Sequence, residues 1–275
     1  AFFVFDNLVF RNIRRALGID KCRWLSTAAA PIAPDLIDWY WSIGKPMYEV
    51  YGQTECTGIA TANLLDDFRI GSVGKAIEDV EVVLSEEDEI LIRSPGVIKG
   101  YWNKAEKTAE TIRQGWLHTG DVGRIDDDGF IYIIDRMKDI IITAGGKNIT
   151  PSEIENQLKF SPYVTDAVVV GDKRPYLTCL VMIDDENVTK YAQDNDVPFT
   201  NYTSLCHTQE VQDLVHGEIE KVNVKFARVE TIKKFRLIDQ LLDAEDDELT
   251  PTQKLKRKVV NEKYADLIDG MYQGG

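Results

Sequence analysis

Histidine and cysteine are scarce in this chain of 275 residues, which holds three of the first and four of the second. The cysteines, Cys22, Cys56, Cys179 and Cys206, stand far apart with no C-x-x-C pair, and no histidine lies at ligand spacing from another. That pattern argues against a zinc site and against a disulfide framework, and it fits reduced thiols in a cytoplasmic protein. Long hydrophobic runs are missing too: none approaches the roughly 18 residues of a membrane span, and no stretch reads as a secretory signal. Basic charge is in deficit, with 32 lysines and arginines against 46 acidic residues and a net charge of −14. Such a balance disfavours nucleic acid and anionic lipid as general partners. The acid comes in blocks, Glu86 to Glu89, Asp126 to Asp128, Asp184 to Glu186 and Asp243 to Glu248, and these read as solvated loops. Repeats and low-complexity tracts are absent.

What remains is an ordinary globular composition, 44 % hydrophobic and 28 % charged, long enough for two domains. Phe2 to Leu17 reads as an amphipathic helix, with Phe3, Leu8, Ile13 and Leu17 on one face and Arg11, Arg14 and Arg15 on another. Gly18 ends it. Cys22 to Ser26 is a strand candidate, Thr27 to Pro31 a small-residue loop, Pro34 to Ile43 a helix with proline at its first position, and Met47 to Val50 the next strand. Strand, helix, strand describes a βαβ unit, and such sheets bind ligands outside the carboxyl ends of their strands. From about 74 to 136 the texture changes to short strands and turns, with Glu81 to Leu84, Glu89 to Arg93 and Gly129 to Ile134 forming a small antiparallel subdomain. Beyond Lys138 the strand candidates are 139–143, 164–170, 177–183 and 231–238. Helices are expected at 151–159, 186–195, 208–225 and 252–268. That order implies an α+β module. Ala144 to Asn148 turns the chain back as a hairpin. Thr150 reads as an N-cap, Pro151 as the first helical position and Glu153 as the capping-box acid. Pro198 to Ser204 reads as a loop insertion.

Four motifs stand in order along the chain: Thr27-Ala28-Ala29-Ala30-Pro31, Tyr51-Gly52-Gln53-Thr54-Glu55, His118-Thr119-Gly120-Asp121, and Pro251 to Arg257. Together they resemble the adenine loop, the YGxTE signature, the TGD motif and the C-terminal lysine motif of the adenylate-forming enzymes. Acyl-CoA synthetases, peptide-synthetase adenylation domains and luciferases make up that family. The stretch YGQTECTG is most similar to long-chain fatty acyl-CoA synthetases. The resemblance implies the end of a large nucleotide-binding α/β domain (1–137) followed by a mobile α+β lid domain (138–275). The family's phosphate loop is nowhere in the chain. The expectation is therefore a C-terminal half, inactive alone, with most of the acid pocket and any peripheral membrane contact in the other half.

The resemblance also implies roles. Ala29, Ala30, Tyr51, Gly52, Thr54, Asp121 and Arg136 would bind the nucleotide. Tyr51 offers a flat face for adenine, Gly52 a close backbone and Thr54 a hydroxyl for phosphate oxygen. Glu55 is a hard oxygen ligand suited to Mg²⁺. Asp121 can accept ribose hydroxyls, and the Arg136 fork suits ribose or phosphate. Lys138 maps to the hinge, and Gly145, Gly146 and Lys147 to the coenzyme A path. Lys254 has Arg257 three positions on and takes the catalytic place, although Gln253 stands where the family has glycine and Lys256 competes. Bland alternatives attach to each motif taken alone: a buried tyrosine and a helix-start glutamate, a capping aspartate, and a solvated cationic helix face. The activity implied is an AMP-forming ligation of a fatty acid to coenzyme A with MgATP. Other acids, as in amino-acid-activating or luciferase-like enzymes, and an inactive nucleotide-binding fragment are the alternatives.

Overall fold

The computed structural model describes residues 5–30, 32–240, 247–249 and 256–273. The chain divides into two compact units, Ala1–Lys138 and Asp139–Gly275.

In the first unit a π-helical turn, Asp6–Phe10, leads into helix α1, Arg11–Ala16. The expected apolar-in, cation-out arrangement is not what forms. Leu8 is 68 % exposed, whereas Arg14 is largely covered and donates to the Ile43 carbonyl at 2.7 Å. An unsatisfied helix-end carbonyl, the C-cap of the next helix, outcompetes the apolar periodicity. Phe3 lies outside the described residues. Strand β1 is Leu25–Thr27, shorter and later than expected. The buried Lys45 ammonium takes the Asp20 and Cys22 carbonyls, so neither is left for the ladder. Helix α2, Pro34–Ser42, connects β1 to strand β2, Met47–Tyr51, and the two strands pair in parallel. This is the βαβ unit. Strands β3, Thr61–Ala62, and β4, Lys75–Ala76, extend the sheet antiparallel in the order β1-β2-β3-β4.

A second sheet follows. Strands β5, Glu81–Leu84, and β6, Glu89–Arg93, form a hairpin. Helix α3, Ala105–Thr111, and the short β7, Ile112–Arg113, precede the long β8, Trp116–Ile125, which is flanked by β6 and by β9, Ile131–Arg136. Ile90, Ile92, Leu117 and Ile131 fill its core with Cys56 and Ala60, each buried large aliphatic being worth about 1.5–3 kcal/mol. The register between β6 and β8 slips between Leu91↔His118 and Glu89↔Val122. Extra residues on β8 must therefore bulge out, and they are Thr119, Gly120 and Asp121.

The second unit opens with the hairpin of β10, Ile141–Ile142, and β11, Asn148–Ile149, much shorter than the 139–143 strand expected. Helix α4, Pro151–Lys159, starts at Pro151, yet no capping box forms: Thr150 makes no side-chain cap bond. Glu153 instead is exposed in the first turn, where partial desolvation and then the Glu230 charge raise its pKa. Strands β12, Val164–Val170, β13, Leu177–Ile183, and β14, Ile232–Leu237, form one sheet with β13 central. All seven residues of β13 are buried, because helices cover both faces. Helix α4, α5 (Asp185–Asp194), α6 (Tyr202–Cys206) and α7 (Gln209–Asn223) meet Leu177, Cys179, Val181 and Ile183 on one side. Helices α8, Arg257–Lys263, and α9, Ala265–Tyr272, meet Leu180 on the other. Thus the expected loop at 198–204 carries the start of α6, capped by Asn201 through Ser204. The single helix expected at 252–268 is broken at Tyr264, and its beginning lies outside the described residues.

The acidic blocks are not merely solvated. Glu89 is buried, Asp126 accepts the Phe130 N–H at 2.9 Å, Asp184 caps α5, and the buried Glu248 pairs with Lys263. Among the described residues no helix is long and apolar enough to cross a membrane.

Candidate active site

Asp121 is the centre of the first unit's polar constellation. It leaves the β8 bulge just after Gly120, whose φ of +70° suits glycine, and its carboxylate is 5 % exposed as a residue. Oδ2 accepts from Tyr51 Oη at 2.6 Å and from Gln53 Nε2 at 2.7 Å. Oδ1 meets Arg136 Nε at 2.7 Å. Gln53 also donates to the Thr119 carbonyl at 2.9 Å, tying β2's exit to the bulge. A carboxylate offers about four acceptor positions, and three are engaged here. Burial first, and the neighbouring Asp121 charge second, push the Tyr51 phenol above its ordinary range, so it stays a donor. Arg136 is the loosest partner, with its side chain 48 % exposed.

The exit from β2 is a tight 3₁₀ turn, Thr54–Cys56, closed by Cys56. The Gln53 N–H donates to Cys56 Sγ at 3.1 Å, and the thiol returns a bond to the Gln53 carbonyl. Gly52 is required within the chain, since a Cβ there would meet the Gly58 carbonyl oxygen at 2.3 Å. Thr54 is exposed on the turn. Glu55 Oε1 accepts from Tyr101 Oη at 2.6 Å, and its carbonyl accepts the Ile98 N–H. Among the described residues no group of three metal-ligating side chains occurs. A lone carboxylate fits magnesium, which keeps water and substrate phosphates as its other ligands. Tyr101 is thus packed on the turn, while the neighbouring Trp102 is 89 % exposed.

Ala29 and Ala30 follow the carboxyl end of β1, with Ala29 at φ +73°. Lys138 is the last residue of the first unit. In the second unit Gly145, Gly146 and Lys147 form the β10–β11 tip, pinned by Gly146 N–H to the Thr143 carbonyl at 2.8 Å. Gly146 has φ +74° with open space at its Cβ position. Lys254 and Gln253 lie outside the described residues. Its competitor Lys256 donates Nζ to the Asp247 carbonyl at 3.0 Å, and its N–H to that of Glu248 at 2.7 Å. Sequence reasoning missed Gln53, Tyr101, Glu89 and His118. Gln53 and His118 stood inside motifs already singled out, whereas Glu89 and Tyr101 come to the site only through strand pairing and loop docking.

Comparison with known proteins matches this geometry to a family. Residues 9–102 match the AMP-binding enzyme family and residues 138–275 the AMP-binding enzyme C-terminal domain. The long-chain-fatty-acid–CoA ligase FadD15 of Mycobacterium tuberculosis is 37 % identical over 270 residues, 98 % of this chain and 45 % of its own length. The long-chain-fatty-acid–CoA ligase ACSBG2 of Xenopus laevis is 35 % identical over 296 residues, 99 % of this chain and 40 % of its own length. The chain spans less than half the length of these relatives. Among solved structures, the adenylation domain of a carboxylate reductase from Mycobacterium chelonae superposes with a TM-score of 0.72 at 22 % identity, covering 90 % of this chain and 38 % of that one. O-succinylbenzoate coenzyme A synthetase from Bacillus subtilis, in complex with ATP and magnesium ion, gives 0.64 at 25 % identity, covering 86 % and 46 %. With its C-terminal half matched end to end and the ordered motifs of its first half in place, the chain belongs to the AMP-binding, adenylate-forming enzyme family.

Proposed function

We propose that this chain supplies the ribose-binding and lid portion of an AMP-forming long-chain fatty acid–CoA ligase. The observation that carries the reading is the Asp121 carboxylate, held at a strand bulge by Tyr51 and Gln53 with the partly exposed Arg136 as its displaceable partner. A ribose hydroxyl takes the remaining acceptor position, and a second exchanges with Arg136, which turns to the phosphate. Ala29, Ala30 and Tyr51 flank the adenine, and Thr54 donates to a phosphate oxygen. Glu55 holds the magnesium ion, which when bound screens the phosphate charge.

In the first half-reaction a carboxylate oxygen attacks the α-phosphorus and pyrophosphate leaves. In the second the coenzyme A thiol gives up its proton, its sulfur attacks the acyl carbon, and AMP leaves. Neither needs a covalent enzyme intermediate. Positioning and cations facing developing negative charge supply the catalysis, with Lys254 at the carboxylate and α-phosphate. Rotation of the second unit about Lys138 would exchange Lys254 for the Gly145-Gly146-Lys147 turn, past which pantetheine enters. The names of the relatives support the long-chain acid as substrate.

The test is Asp121→Ala in a protein of the relatives' full length that carries this sequence. Losing a buried charge-assisted hydrogen bond costs ~1.5–3 kcal/mol, so the apparent KM for ATP should rise about ten-fold to a hundred-fold. An unchanged ATP dependence in a folded variant refutes the ribose role.

A further inference from the structure

On its β6 side the bulge before Asp121 leaves the Gly120 N–H without a ladder partner, and a side chain of that strand replaces one. Glu89 of β6 is buried at the point where the β6–β8 register slips. Its Oε1 accepts the Gly120 N–H at 2.9 Å, and its Oε2 meets His118 Nδ1 at 2.7 Å. One carboxylate therefore grips the bulge at both ends, one residue and three residues before Asp121. The adjoining contacts are consistent with a turn of a single shape. Thr119 Oγ1 donates to the Ile90 carbonyl at 2.7 Å and accepts the Asp121 N–H at 3.1 Å, and the Gly120 carbonyl accepts the Met137 N–H at 2.9 Å. A partly buried backbone N–H at φ +70° with no acceptor would reorient the turn or draw in water. An anionic acceptor is the strongest available remedy.

We infer that Glu89 is the positioning residue for nucleotide recognition, setting the direction of the Asp121 carboxylate through the Gly120 N–H and His118. It touches no nucleotide itself. The inference rests on the ribose role proposed for Asp121. A purely structural Glu89 would change stability, or weaken all nucleotides alike; a positioning Glu89 changes the part of binding that depends on ribose hydroxyls.

The experiment measures dissociation constants for AMP and for 2′,3′-dideoxy-AMP with the whole chain, by calorimetry, and reads their ratio. Wild type should prefer AMP by ten-fold or more, and Asp121→Asn should bring the ratio close to one. Glu89→Met keeps the volume but removes the acceptor. Glu89→Asp keeps the charge beside His118, but its carboxylate is too short to hold both ends. Either, confirmed folded by circular dichroism, should lose the preference by about ten-fold while dideoxy-AMP affinity stays within two-fold. Glu89→Gln restores an oxygen for the Gly120 N–H and should recover most of the ratio. A folded Glu89→Met or Glu89→Asp with the wild-type ratio, or with equal loss for both ligands, overturns the inference while leaving Asp121 in its role. No discrimination by wild type, or an unchanged ratio in Asp121→Asn, overturns both.

Discussion

Arg257 stands three residues after Lys254, and its contacts make it an anchor whose removal has a calculable cost. Its Nη2 lies 2.7 and 2.8 Å from the two Glu155 oxygens, and its Nη1 donates to the Val169 carbonyl at 2.8 Å. Glu155 Oε1 also accepts the Val169 N–H at 2.7 Å. One ion pair thus joins α4, β12 and the first turn of α8, with side chains 9 % and 22 % exposed for Glu155 and Arg257. Glu155→Met takes the carboxylate from the guanidinium and the acceptor from the Val169 N–H together. Breaking a buried pair from one side costs ~3–5 kcal/mol, which for a unit of this size lowers the Tm by roughly 10–20 °C. Arg257→Met, leaving a buried carboxylate, should cost a similar amount. Replacing both removes both desolvation penalties, so the double variant should return to within ~1–2 kcal/mol of wild type. Urea unfolding followed by circular dichroism reads both units, and the second unit's transition is what remains once the first unit's is assigned. Tryptophan fluorescence is the internal reference, since Trp24, Trp39, Trp41, Trp102 and Trp116 are all the tryptophans and all lie in the first unit. Losses that simply add in the double variant, or single losses below ~1 kcal/mol, would refute the reasoning.

Three further outcomes are expected. Glu49 is pushed up to about 7 by burial, partly offset by the Gly71 N–H. Its proton is released more readily when unfolded, so the first unit should lose about 3 kcal/mol between pH 4.5 and 7.5 through this group. Glu49→Gln should lack that component, and equal pH slopes for both proteins in fluorescence-detected urea melts would disprove it. Gly146→Leu meets no neighbour but must hold φ +74°, at ~1–2 kcal/mol. In the full-length protein it should block thiolysis of supplied acyl-adenylate and spare pyrophosphate exchange, and loss of both together counts against the coenzyme A path. Lys254→Ala should depress pyrophosphate exchange by at least a hundred-fold. Lys256→Ala, losing its bond to the Asp247 carbonyl, should lower it less than three-fold; the reverse ranking would exchange their roles.

Local chemistry determined much of this protein. The mostly apolar run of β13, proline at the first positions of α2 and α4, and the glycine tip of the β10–β11 hairpin all formed as their residue types dictate, because each depends on near neighbours in the chain. The ordered motifs fixed the family in the same way. Interactions between distant segments were decided only by tertiary structure. The Thr54–Cys56 turn was legible as a motif, but its closure by the Cys56 thiol and its docking under Tyr101 were not. Arg14 turned inward because the Ile43 carbonyl needed a donor, which no helical periodicity records. Glu89 stood in an acidic run that reads as a solvated loop, and became buried because a register slip left the Gly120 N–H without a strand partner. The amino-acid sequence by itself determined which chemical groups are present and the order of most strands, helices and turns. Tertiary structure decided which of those groups share a carboxylate, because hydrogen-bond partners 29 to 70 residues apart meet only once strands have paired.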